Sequence, residues 1–157
     1  FHTVPGTINE ILGPSFSGGH WRIRVAPEYY GLVMFAQAAP PGAKLLPISG
    51  TPTAGVKSWA TLASDRTLRV TLINKHLRRS EAVRLHLPAR YASASVEQLR
   101  APSVSARDQI TLGGQSFGPE TTTGRLAGTS QNSTLRPANG TYVVRLPAAS
   151  ATLMTLH

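Results

Sequence analysis

Seven carboxylates and five histidines are the side chains in this sequence that could run acid–base or metal chemistry. The acids are Glu10, Glu28, Asp65, Glu81, Glu97, Asp108 and Glu120. Cleaving a glycosidic bond normally takes two carboxyl groups facing each other across the substrate. Here no two acids stand close in the chain and four lie in or beside turn-forming segments, so no catalytic pair is expected. His2, His20, His76, His86 and His157 show neither His-x-His nor His-Glu-x-x-His spacing, and the sequence has no cysteine. Thiolate nucleophiles, disulfides and Cys-ligated zinc are therefore excluded, and a metal site would have to be assembled from distant parts. Gly18-Gly19 and Gly113-Gly114 read as turn glycines, because neither leads into a helix as a phosphate-binding loop does. The expectation is no catalytic residue, no metal and no cofactor in this chain.

Charge adds a class of partner. Sixteen Lys and Arg against seven Asp and Glu give a formal charge of +9. Such a balance attracts nucleic acid, anionic membrane or acidic polysaccharide. The arginines, however, are spread singly, most on the polar faces of expected strands. Arg78 and Arg79, near Lys75 and His76, make the local cluster, expected at a hairpin tip. No aromatic stacking platform or recognition helix accompanies the charge, so nucleic acid is not expected. No apolar run approaches the ~20 residues of a membrane-spanning helix.

The elements that must position these groups are mostly strands. Residues 1–26 are punctuated by Gly and Pro and lack either periodicity. They read as a strand end at 1–3, in mid-domain, followed by a long irregular loop. The one helix expected is 26–39, with Pro27 at its first position, Glu28 in its positive first turn and Pro40-Pro41-Gly42 ending it. It is apolar nearly all round, with Glu28 and Gln37 as its strongly polar side chains. Such a helix wants burial on several sides, which points to a partner surface beyond the chain; packing flat on the sheet is the alternative. From Lys44 onward the pattern has period two, with strands expected at 44–49, 56–63, 66–74, 82–88, 93–100, 108–112, 115–118, 142–147 and 151–156. Segments 66–74 and 82–88 read as a hairpin, and Asn139-Gly140 is a strong turn signal. Asn132-Ser133-Thr134 and Asn139-Gly140-Thr141 fit the glycosylation pattern but read as turns. The fold class is mainly β: an antiparallel two-sheet β-sandwich preceded by a loop and one apolar helix.

Four segments, in order along the chain, carry a family resemblance. Pro27-Glu28-Tyr29-Tyr30-Gly31-Leu32-Val33-Met34-Phe35-Ala36-Gln37 resembles the glycoside hydrolase family 79 enzymes, the β-glucuronidase and heparanase group. Leu72-Ile73-Asn74-Lys75 is similar to that family's strand followed by an Asn-Lys turn. Ile110-Thr111-Leu112-Gly113-Gly114-Gln115-Ser116-Phe117-Gly118 is similar to its Gly-Gly hairpin. Leu146-Pro147-Ala148-Ala149-Ser150-Ala151-Thr152-Leu153-Met154-Thr155-Leu156 is similar to its closing strand pair.

The resemblance implies a (β/α)8 barrel carrying both catalytic glutamates upstream of Phe1, followed by a C-terminal sandwich. On that plan residues 1–42 are the last strand, loop and helix of the barrel, and 43–157 are the sandwich. It implies sugar contact at His2 and Thr3, in the loop after the last barrel strand, and a domain interface at Tyr29, Tyr30, Leu32, Val33 and Phe35. It further implies the barrel of the same protein as partner, a secreted or periplasmic location, and a sandwich strand borrowed from residues before the barrel, leaving an edge open here. The function so implied is a non-catalytic C-terminal region that stabilises a hydrolase of uronic-acid glycosides. Two alternatives stay open: a free-standing carbohydrate-binding or adhesion module for acidic polysaccharide, and an interaction domain with a protein partner for the face of residues 29–35.

Overall fold

The computed structural model describes residues 10–51, 53–87 and 91–157. It is mainly β, with three layers: one helix, a large antiparallel sheet and a two-stranded sheet. A hairpin of β1 (Leu12–Ser17) and β2 (His20–Val25) comes first, then α1 (Pro27–Ala38). The large sheet runs β3 (Lys44–Leu46), β4 (Val56–Leu62), β5 (Leu68–Asn74), β11 (Ser150–Leu156), β7 (Ala94–Arg100) and β8 (Thr111–Leu112), with β9 (Ser133–Leu135) also pairing β7. The small sheet pairs β6 (Glu81–His86) with β10 (Thr141–Leu146).

Period two decides which way each strand faces. Leu68, Val70 and Leu72 of β5 and Met154 and Leu156 of β11 meet Val83, Tyr142, Val144 and Leu146 of the small sheet in the sandwich core. Leu153, on the opposite face of the large sheet, joins Leu112 and Ile110 in a second core under Tyr30, Met34 and Ala38 of α1. Those three helix residues are spaced four apart, so they form one stripe. Pro27 occupies the first turn, as its missing N–H predicts, and the Thr61 hydroxyl donates to the Ala38 carbonyl at the far end.

Three expectations are corrected. Residues 12–25 form a hairpin rather than an irregular loop. Gly18 and Gly19 both have positive φ (59° and 78°), the conformation a two-residue turn needs between twisted strands. Segments 66–74 and 82–88 do not pair. Both edges of β5 are taken, by β4 and β11, so residues 75–80 carry the chain across to the other sheet. Residues 115–118 are not a strand: they make single bridges, Leu112 to Gln115 and Ser116 to Ala127. The strand β9 was not expected, and Asn139-Gly140 turns the chain into β10 as read.

Candidate functional site

Three of the described acids form ion pairs with arginines. Arg24 pairs with Glu10 at 3.6 Å, Arg22 with Glu120 at 3.7 Å, and Arg79 Nε with Glu81 at 2.6 Å. Asp65 accepts from the Thr67 backbone N–H, which holds its carboxyl below the usual range. Glu97 is half-buried beneath the helix, and desolvation raises its pKa despite hydrogen bonds from Asn132 and Gln37. The cavity it lines, about 350 Å³, holds no second carboxylate, and neither do the cavities lined by Asp65 or by Asp108. Among the described residues no group of three or more His, Asp or Glu side chains is placed to hold a metal ion.

Gly114-Gln115-Ser116-Phe117-Gly118 has the Gly-x-Ser-x-Gly spacing of a nucleophile elbow without its context. No helix follows, and the Ser116 hydroxyl accepts from the Gly118 N–H.

The Asn-Lys turn singled out in the sequence is a structural clamp. Asn74 is 1% exposed. Its Nδ2 donates to the carbonyls of Arg79 at 2.8 Å and Pro147 at 2.9 Å, with a longer contact to Leu146 at 3.3 Å. Its Oδ1 accepts from the His76 N–H at 3.0 Å. One amide thus ties the crossover between the sheets to the turn before β11. The expected basic hairpin tip lies in that crossover, where the Arg79 guanidinium sits 2.9 Å from His76 Nε2. The His76 ring rests against Gly55, where a Cβ would come within 2.2 Å of Nε2 and φ is +73°. His86 is exposed, with Nδ1 3.1 Å from the Thr141 hydroxyl.

Three surfaces have the character of contact sites. The first is the outer side of α1. Of the residues expected at a domain interface, Phe35 is 68% exposed, while Tyr29, Leu32 and Val33 are half-buried. Tyr30 faces the other way: at 3% exposure it lies in the chain's own core, where its hydroxyl accepts from the Phe117 N–H at 2.8 Å. It offers no surface to a partner. The second is the free edge of β6. Among the described residues β6 pairs only with β10, and a cleft of about 350 Å³ lined by Leu46, Val56, Trp59, Val83 and Leu85 runs beside it. The third is the tip of the β1–β2 hairpin, where Phe16 and Trp21 stand opposite each other across the strands. The sequence reading passed over this pair because their strands were not recognised. His2 and Thr3, the expected sugar contacts, lie outside the described residues.

Comparison with known proteins bears on this arrangement. Residues 58–153 match the model of the glycosyl hydrolase family 79 C-terminal beta domain. No match is found among the curated proteins. Among solved structures, a 4-O-α-L-rhamnosyl-β-D-glucuronidase from Fusarium oxysporum, in complex with Rha-GlcA, superposes with a TM-score of 0.72 at 24% identity. The match covers 85% of this chain and 30% of that one. The catalytic domain of a family 30 xylanase C from Talaromyces cellulolyticus gives 0.64 at 17% identity, over 99% and 29%. A family 51 arabinofuranosidase from Xanthomonas axonopodis gives 0.64 at 15%, over 98% and 30%. The fold is therefore shared across several glycosidase families, and the chain spans about 30% of the length of these structures.

Proposed function

This chain belongs to glycosyl hydrolase family 79, as its C-terminal beta domain, and from that membership we propose that it braces the catalytic barrel of a hydrolase of uronic-acid glycosides. On this reading residues 1–42 complete the (β/α)8 barrel, 43–157 are the sandwich, and both catalytic glutamates come from the preceding barrel. His2 and Thr3 then border the sugar-binding cleft, and the protein works in a secreted or periplasmic setting. The observation that carries the proposal is α1. Its inner stripe is fixed to the sheet through Tyr30, Met34 and Ala38, while Phe35, about 100° round the helix from Met34, is left in water. A helix with an exposed apolar flank beside its buried stripe has a second surface to offer a partner. Among the described residues the edge of β6 beside an apolar cleft is open, which supports the same reading, since a strand from the preceding chain would cover Leu46, Val56 and Trp59 there.

The test is Phe35→Asp in the protein that carries the preceding domain. A charge in a dry joint is costly, so the two parts should then unfold in separate transitions where the parent unfolds in one. A single transition unchanged in temperature would overturn the bracing role of this face.

A further inference from the structure

Phe16 and Trp21 are 61% and 60% exposed, with ring centroids 5.2 Å apart and planes tilted by 52°. Their strands form an amphipathic ribbon. Leu12, Pro14 and Phe16 share one face with Trp21, Ile23 and Val25, while Ser15, Ser17, His20, Arg22 and Arg24 share the other. The base of this face is sealed, since Val25 is buried and Ile23 packs into the core under α1. The base is also braced by backbone bonds, Ala26 N–H to Ile11 and a reciprocal pair between Ile23 and Thr121, each at 2.9 Å. A held base presents the aromatic tip in a defined place, which lowers the ordering cost of binding.

The size of the tip selects its occupant. Two aromatic side chains about 60% exposed leave roughly 250 Å² of apolar surface, against about 800 Å² per partner in a stable protein interface. Even with Pro14 and Leu12 added, the patch suits one small ring better than another protein. The apolar C–H face of a pyranose matches it in size and character. Arg22 and Arg24 on the opposite face are paired with Glu120 and Glu10, so the preference for an anionic sugar comes from the chain's formal charge of +9, acting at long range.

We propose that Phe16 and Trp21 form a stacking platform for a pyranose ring of an acidic saccharide. The location rests on the family 79 reading above: a hairpin just ahead of the last barrel helix lies in the loop layer that rims a barrel's active site. The platform then holds a sugar ring beyond the one being cleaved.

Calorimetry with hyaluronan tetrasaccharide as the acidic probe and chitotetraose as the neutral one tests it. The double variant Phe16→Ala, Trp21→Ala should weaken tetrasaccharide binding about tenfold or more. Trp21→Phe, which keeps a ring, should stay within about twofold of the parent. The pair Arg84→Ala, Arg145→Ala removes two exposed charges from the small sheet and should also stay within about twofold. Binding that survives loss of both rings, or that the two double variants weaken equally, overturns the platform. So does chitotetraose binding as tightly as the acidic probe. Failure of the hydrolase reading shows elsewhere, as absence of uronide hydrolysis by the protein with its preceding domain.

Discussion

Replacing Asn74 should cost more than any other polar substitution in this chain, because one buried amide holds two turns from different sheets. Asn74→Ala removes two strong donated bonds, to Arg79 and Pro147, and one accepted bond from the His76 N–H. The Leu146 contact is longer, and an amide NH2 has two hydrogens for its three acceptors. Pro147 keeps one partner, the Ser150 hydroxyl at 2.8 Å. At about 1 kcal/mol net per hydrogen bond, the loss is about 3 kcal/mol. For a domain of this size that is a fall in Tm of roughly 6–12 °C. Asn74→Asp keeps the bond from His76 but aims a carboxylate oxygen at two carbonyls, so it should be worse than alanine near neutral pH and should recover towards acid pH. Urea unfolding of the three proteins, with midpoints compared at constant m, reads this directly. An alanine variant within about 0.5 kcal/mol of the parent would refute the reasoning, being the scatter of ordinary surface substitutions. So would an aspartate variant no worse than alanine.

Other perturbations read other joints. Tyr30→Phe leaves the buried Phe117 N–H without its acceptor and should cost about 1–3 kcal/mol by chemical unfolding. Glu97 carries a pKa raised from 4.5, so between that value and the raised one the folded state binds more protons than the unfolded state. Its contribution to stability is therefore best below the unfolded pKa and is lost as pH rises through the folded one. The Tm of Glu97→Gln should gain on the parent over that window and run parallel to it above. Asp65 has the opposite sign: a carboxyl held below 3.8 stabilises above the unfolded value and loses that contribution as pH falls. Asp65→Asn should thus narrow its Tm difference from the parent towards acid pH.

How much was legible in the sequence follows from how local each signal is. Alternation located β5 and β11, and the Pro27 start and Pro40-Pro41-Gly42 stop bounded α1, because these signals lie within the element itself. Pairing is not local. Segments 66–74 and 82–88 look like hairpin partners across a short polar turn, yet β11, some seventy-five residues further on, takes the edge that β6 would have used. The β1–β2 hairpin was hidden because Gly13 and Pro14 break the alternation of a strand whose pairing is set by the Gly18-Gly19 turn. With it went the Phe16–Trp21 pair, which only cross-strand register brings together. The apolar helix reads in sequence as needing burial on several sides; in the structure one stripe is buried on the chain's own core and Phe35 is exposed, a split that composition does not give. Tyr30 and Phe35 are both apolar-faced aromatics in sequence, and only the position of the sheet turns one inward and the other outward.

The most direct measurement of the central claim is hydrolysis of an aryl β-glucuronide, by the 157-residue chain alone and by the protein that carries its preceding domain. Turnover is expected from the second and none from the first, because the cavities lined by Glu97, Asp108 and Asp65 each hold a single carboxylate. Turnover by the chain alone would contradict it.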